Sequence, residues 1–194
     1  DMSNILGLDP GKKGAITFID PIDHVFWVHD MPIRKIGQSE RRWELDYPRF
    51  SNILDRYDPL FGAVEDVWSM TGDGNVGAFS FGAVTGAVMG ILHYYGCRVR
   101  RVRPAMWKAN MRVTADKTSS IERAITLVPE AAPILERKKD DGRAESILMA
   151  IYAAFDQEIE LSEPLKFGGL NGADKIEPIT SPVENIRGGN FQTI

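Results

Sequence analysis

One cysteine, Cys97, and three histidines are all the chain has of the residues that build disulfides and soft-metal sites. A disulfide within the chain is excluded, as is a cysteine-rich zinc centre, and a reducing, cytoplasmic compartment is the expected setting. Cys97 itself reads as a small buried hydrophobe. Positive charge is also in short supply. With 23 Lys and Arg against 27 Asp and Glu, the formal charge is −4, so any binding to a polyanion has to be local. Long apolar runs are missing too: the longest, residues 78–92, is interrupted by Ser80, Thr85 and several glycines and is shorter than a bilayer crossing, so it reads as a buried helix. No basic, apolar leader opens the chain, and a secretory signal is not expected. What is present, 194 residues of which 43% are hydrophobic, suffices for one well-buried core.

Runs rich in β-branched and aromatic residues at 5–9, 15–20 and 25–30, separated by Pro10-Gly11 and Pro21-Ile22-Asp23, predict an antiparallel three-stranded meander. Asp46-Tyr47-Pro48 marks a helix start, and Phe50, Ile53, Leu54 and Tyr57 follow at helical spacing. Residues 60–65 return to strand character, and residues 97–102 make a fifth strand. Between them, residues 76–95 form a helix on which Gly82, Gly86 and Gly90 recur every four positions. Such a stripe of small residues admits a neighbouring backbone, either of the chain's own sheet or of a second copy in a homodimer. Pro104 suits the first turn of a short helix over residues 105–111, Thr118 or Ser119 can cap a helix running to Val128, and Asp140-Asp141 open a last helix. After Ser162 the composition turns to Gly, Pro, Asn, Ser and Thr without periodicity. The expected architecture is α/β: a mixed five-stranded sheet, meander plus parallel strands, flanked by helices over residues 1–161, with an extended tail over residues 162–194.

Three acidic stretches stand at the edges of apolar runs: Gly7-Leu8-Asp9-Pro10-Gly11, Val64-Glu65-Asp66-Val67 and Lys139-Asp140-Asp141-Gly142-Arg143-Ala144-Glu145. Asp9 ends a strand beside a turn of little bulk, and Glu65 ends another, where an unpartnered carboxylate is expensive. Asp141 and Glu145, four apart, share a helix face and repel each other unless Arg143 or a cation intervenes. Asp140 projects about 100° away from Asp141. Either aspartate could serve a metal near the helix end, and both also suit the positive end of the helix dipole. Carboxylates gathered from separate rigid elements suit hard divalent cations such as magnesium, and through them phosphodiester chemistry. From Arg98 through Arg100, Arg101, Arg103 and Lys108 to Arg112 there is no acid, and Lys117 follows. That stretch can track phosphates or protect a solvated edge strand.

Together these motifs resemble the RuvC family of Holliday-junction resolvases, in the RNase H-like superfamily, over residues 4–155. Phe79-Ser80-Phe81-Gly82, Pro104-Ala105-Met106-Trp107-Lys108 and Asp116-Lys117 resemble stretches of virus- and phage-encoded members. The resemblance implies an RNase H-like fold and a homodimer that nicks four-way DNA junctions, with two magnesium or manganese ions per active site and a host-cell cytoplasmic setting for a phage-encoded protein. It implies Asp9, Glu65, Asp141 and Glu145 as the metal-binding catalytic acids, and Lys108 and Lys117 as basic residues near the cleaved strand, Lys117 adding positive charge to the pentavalent phosphate. Trp68 falls where relatives place an aromatic that stacks on a base, and Met70 on the same loop is a second candidate wedge. Arg98, Arg100, Arg101 and Arg103 are the candidate phosphate contacts. Bacterial members usually carry two aspartates three apart on the last helix, whereas this chain has Asp and Glu four apart. Two other readings compete: an actin- or sugar-kinase-like ATPase, for which 194 residues are too few, and a catalytically silent RNase H-like binding module, which would have no need of all four acids. The loop at residues 72–75 is compatible with other branched DNAs as substrates.

Overall fold

The computed structural model describes residues 4–38, 42–66 and 74–171, without the side chain of Lys117. Its centre is β1 (Ile5–Leu8), buried at every position. The meander is as expected: β1 pairs antiparallel with β2 (Ala15–Asp20), which pairs antiparallel with β3 (Val25–Asp30). On its other side β1 runs parallel to β6 (Phe61–Glu65), and β6 runs parallel to β7 (Arg98–Val102).

Side chains of successive strand residues point to opposite faces, so the sheet divides its hydrophobes between two cores. Ile5, Ala15, Ile19, Ala63 and Val102 face α5 (Asp141–Asp156), α3 (Pro104–Met111) and α4 (Lys117–Leu127). Leu6, Leu8, Ile16, Phe18 and Val64 face α1 (Tyr47–Tyr57), α2 (Gly74–Tyr94) and the hairpin of β4 (Ile33–Lys35) and β5 (Trp43–Leu45). α1 opens on Asp46, whose Oδ1 accepts from Arg49 N–H at 3.2 Å, and ends on Asp58 in a left-handed conformation.

β1 and α5 meet without side chains between them. A Cβ at Gly7 would lie 2.2 Å from both Ala150 N and Ser146 O, so helix and strand touch backbone to backbone. Thr17 and Ser146 share a 2.8 Å hydrogen bond beside that contact. At the next turn toward the helix start, a Cβ at Gly142 would lie 2.1 Å from Lys13 O.

Four features depart from the sequence expectation. The sheet has six strands, in the order β7-β6-β1-β2-β3-β8, because β8 (Lys166–Leu170) adds parallel to β3. Residues 166–170 thus belong to the sheet and not to a tail. Gly168-Gly169 erases the alternation that marks a strand, yet a side chain at Gly168 would collide with the Trp27 ring, 2.2 Å from Nε1. The β4–β5 hairpin was also unforeseen, its strands being only three residues each. α4 is capped by Asp116, which accepts from Thr118 N–H at 3.2 Å, in place of Thr118 or Ser119. Finally, α2 is not a buried helix. Ser80, Val84, Thr85, Val88 and Leu92 are buried, while Phe79 is 79% and Tyr94 88% exposed. Among the described residues nothing lies within 4 Å of where a Cβ would stand at Gly82, Gly86 or Gly90, so their stripe does not pack on the described sheet. α2 is long and apolar enough by length and composition to cross a membrane, but one side of it is seated on the second core.

Cys97 is buried as expected, and burial pushes its thiol up to about 12.

Candidate active site

Leu8 and Val64 are register partners in adjacent parallel strands, so Asp9 and Glu65 emerge side by side at the carboxyl edge of the sheet. The turn that follows holds Asp9 in place: its N–H donates to Ala15 O at 3.0 Å, and its Oδ1 accepts from Gly11 N–H at 2.9 Å. Because α5 rests on β1, its first turn brings Asp141 and Glu145 within electrostatic reach of Asp9. Burial, and after it the charge of Glu65, push the Asp9 carboxyl from 3.8 up to about 7; Glu145 and Asp141 add to the rise while the Gly11 N–H opposes it.

Glu65 is buried, and burial with Glu145 nearby raises its carboxyl to about 6. It is steadied by the indole of Trp107, whose Nε1–H donates to Oε1 at 3.0 Å. Glu145 is held from the other side: Lys108 Nζ donates to its Oε1 at 2.9 Å and Ser120 Oγ at 3.2 Å. Lys108 Nζ also stands 5.1 Å from the Trp107 ring centroid. α3, whose first helical residue is Pro104, therefore supplies consecutive residues to two of the four acids.

The neighbouring aspartates differ in their surroundings. Asp140 accepts from Arg137 N at 2.9 Å and Nη2 at 2.7 Å, with Arg143 Nη1 3.7 Å away, and these hydrogen bonds, Arg137's foremost, hold its carboxyl below the usual range. It is committed to the structure. Asp141 is the aspartate coupled to Asp9. Arg143, which the sequence offered as the offset between Asp141 and Glu145, instead makes a two-pronged pair with Asp30 at 2.6 and 2.7 Å, and Asn171 Nδ2 completes it at 2.9 Å.

The donor set of Asp9, Glu65, Asp141 and Glu145 is all oxygen and all anionic, which fits a hard divalent cation. As the side chains stand, no three acidic, histidine or cysteine groups among the described residues are disposed around one ion, because Glu65 is turned to Trp107 and Glu145 to Lys108 and Ser120. Lys108 supplies the local counter-charge.

The arginines of β7 are divided by the pleat. Arg98 and Arg100 face the α5 side, where they line a cavity of about 560 Å³ with Tyr152 and Asp156, and Arg100 pairs with Asp156. Arg98 pairs in register with Phe61, at the opposite end of β6 from Glu65. Arg101 lies at the acidic end, paired with Asp66, and Arg103 precedes α3. Lys117 begins α4. Trp68 and Met70 lie outside the described residues.

From sequence alone Trp107 has no role beyond its place in a motif. Its place directly before Lys108 in Pro-Ala-Met-Trp-Lys was the available signal. Trp107→Phe keeps the ring and removes the donor, so manganese affinity is expected to fall by roughly tenfold, as when other groups that orient a metal ligand are lost. Calorimetric titration with manganese checks this, and an unchanged affinity would leave Trp107 a packing residue after all.

No protein-family profile matches the chain. Over 96 residues, 48% of this chain, it is 34% identical to the chloroplastic Holliday junction resolvase MOC1 of Chlamydomonas reinhardtii, and the chain spans only 11% of that relative's length. Among solved structures, T. thermophilus RuvC in complex with a Holliday junction substrate superposes with a TM-score of 0.53 at 18% identity, covering 84% of this chain and 99% of that one. The fold is therefore RuvC-like, an α/β RNase H-like sheet flanked by helices.

Proposed function

We propose that this RuvC-like chain is a metal-dependent, structure-specific endodeoxyribonuclease that resolves Holliday junctions. The observation that carries the proposal is that Glu65, Asp141 and Glu145, from two further elements, lie close enough to Asp9 to act on its charge, and that burial and these neighbours push Asp9 up to about 7. A carboxyl buried beside other carboxyls is stabilised by positive charge, and such groups are concentrated at functional sites. The likeness to a relative named as a Holliday junction resolvase and to RuvC solved with its junction supports the choice of substrate.

The four acids would hold two magnesium or manganese ions, which when bound supply an acidified water and charge stabilisation for the departing oxygen. The chain's own groups do the rest. Trp107 fixes Glu65, and Ser120 orients Glu145. Lys108 neutralises Glu145 and would offer its charge to the substrate phosphate; Lys117, the first residue of the neighbouring helix, would add a second.

The partner surface is α2. Phe79, Ala83, Gly86, Gly90 and Tyr94 form one outward stripe, flat at its glycines and apolar at its ends, which suits the same stripe of a second copy. A two-fold dimer would present two active sites to two opposed strands. Phe79→Asp is expected to run as a monomer in light scattering at concentrations where the parent is a dimer. A monomeric parent would remove the dimer from the proposal.

The deciding experiment sets a synthetic four-way junction against matched duplex, flap and RNA–DNA hybrid, with and without magnesium. Preferential, magnesium-dependent cutting of the junction is expected. Preferential cutting of the hybrid would make the protein a ribonuclease H, and junction binding without cutting in either metal would make it a silent binding module.

A further inference from the structure

The sequence places its obvious basic run in and after β7, on one side of the acids. The fold gathers a second set of cations on the other side. Lys12 and Lys13 sit in the β1–β2 turn, and Arg137 and Lys139 lie just before α5; with Arg143 they line a cavity of about 290 Å³ whose remaining wall is Gly14, Asp30, Met31 and Asp140. Five cations thus face two carboxylates. Those two, Asp30 and Asp140, are the ones that hold Arg143 and Arg137 in place, so the guanidinium wall is fixed in advance of any ligand.

The cavity adjoins the acids directly. Gly14 in its wall is so close to Asp9 that a Cβ there would lie 2.1 Å from Asp9 O and 2.9 Å from its Cγ, and Asp140 in its wall immediately precedes Asp141. In the sheet order, Asp9 and Glu65 occupy the ends of β1 and β6, Arg101 and Arg103 lie outward at the end of β7, and Asp30 lies outward at the end of β3. A strand of nucleic acid crossing this edge would meet cations, then the acids, then cations again. From β1 to β3 is two strand spacings, about 10 Å, which is within about three nucleotides of the bond over the acids.

We propose that this cavity is a second phosphate subsite, seating a phosphodiester of the cleaved DNA strand a few nucleotides from the scissile one. The inference rests on the nuclease reading above and extends it to how the strand is held. Its role is positioning: cations on both sides fix where along the strand the acids act, without reading bases.

The test uses the full chain carrying Asp9→Asn, so that DNA is bound and not cut. In that background Lys12→Gln, Lys13→Gln and Lys139→Gln are combined, and a control combines Arg42→Gln, Arg56→Gln and Lys166→Gln, exposed and remote from the site. Binding of a four-way junction and of a single strand is measured from 50 to 200 mM salt. The subsite predicts a loss of about tenfold or more in affinity and a slope of log affinity against log salt shallower by about 2, with little change in the control. It also predicts that one methylphosphonate within three nucleotides of the cut weakens the parent and adds nothing to the lysine variant. Equal slopes in variant and control, or a methylphosphonate effect that persists in the variant, would overturn the subsite. A parent that binds the single strand but not the junction, with the lysine effect intact, would overturn the junction reading and keep the subsite. A parent that binds neither DNA overturns both.

Discussion

Asp9→Asn is expected to lose junction cleavage on the order of 1,000-fold, and to melt higher than the parent by a margin much larger at pH 8 than at pH 5. The two halves share one cause. Burial and then Glu65 raise the Asp9 carboxyl from 3.8 to about 7, so the native fold prefers its protonated form. For this group the parent's stability is fully present below 3.8 and is lost as pH rises through about 7. Asparagine never ionises. It therefore matches the parent only below about 3.8; at pH 5 the ionised carboxylate of the unfolded parent already gives it about a third of the gain, and by pH 8 the gain reaches roughly 2 to 4 kcal/mol if most of the shift is expressed in stability. Magnesium reverses the comparison: bound at the acids, it stabilises the parent more at pH 8 than at pH 5 and leaves the variant unmoved. Because protons and metal compete for these carboxyls, cleavage by the parent at limiting magnesium should rise as pH goes from about 6 to 8, where metal-free Glu65 and Asp9 give up their protons. Calorimetric melting at the two pH values, with and without magnesium, checks the stability half, and the junction assay checks the other. A fully active Asn variant would remove Asp9 from the chemistry.

The second large effect separates two adjacent residues. Asp141→Asn is expected to fold as the parent does and to lose cleavage by on the order of 100-fold, since Asp141 faces Asp9. Asp140→Ala is expected to do the opposite, leaving cleavage at low temperature within a few-fold. Its carboxylate is buried against Arg137 and Arg143, and removing it strands their charge at a cost of about 2 to 3 kcal/mol, below the full value for a buried pair because Arg137 is half exposed. Urea denaturation beside the cleavage assay reads both quantities. The reverse pattern would move the metal role to Asp140.

Runs rich in β-branched and aromatic residues between turn signals make the meander legible, and Asp9 and Glu65 stand out because each ends an apolar run. The helical spacing of Asp141 and Glu145 was equally visible. Other parts were hidden for physical reasons. β8 carries two glycines where a strand signal would be, and its reason for them, the face of Trp27, is distant in sequence. Asp116, Thr118 and Ser119 are all good caps, and only the backbone shows which one is used. The run of arginines looked like one track until the pleat sent Arg100 to Asp156 and Arg101 to Asp66 on opposite faces. Conversely, Lys12, Lys13, Arg137 and Lys139 lie more than 120 positions apart in two pairs, and chain topology alone brings them together. The role of the Trp107 indole is not legible in sequence, because a buried tryptophan needs no further explanation until its N–H is traced to Glu65.

The bare contact of α5 with β1 at Gly7 has an evolutionary side. A helix that rests on a strand through side chains rises or sinks whenever those side chains change size, and carries its acids with it. Here the stop is backbone against backbone, at Gly7 and again at Gly142, so the height of Asp141 and Glu145 over Asp9 does not depend on which hydrophobes fill the cores on either side. Lineages can exchange leucine for valine or phenylalanine throughout both cores and inherit the same catalytic spacing, provided that two positions remain without a side chain.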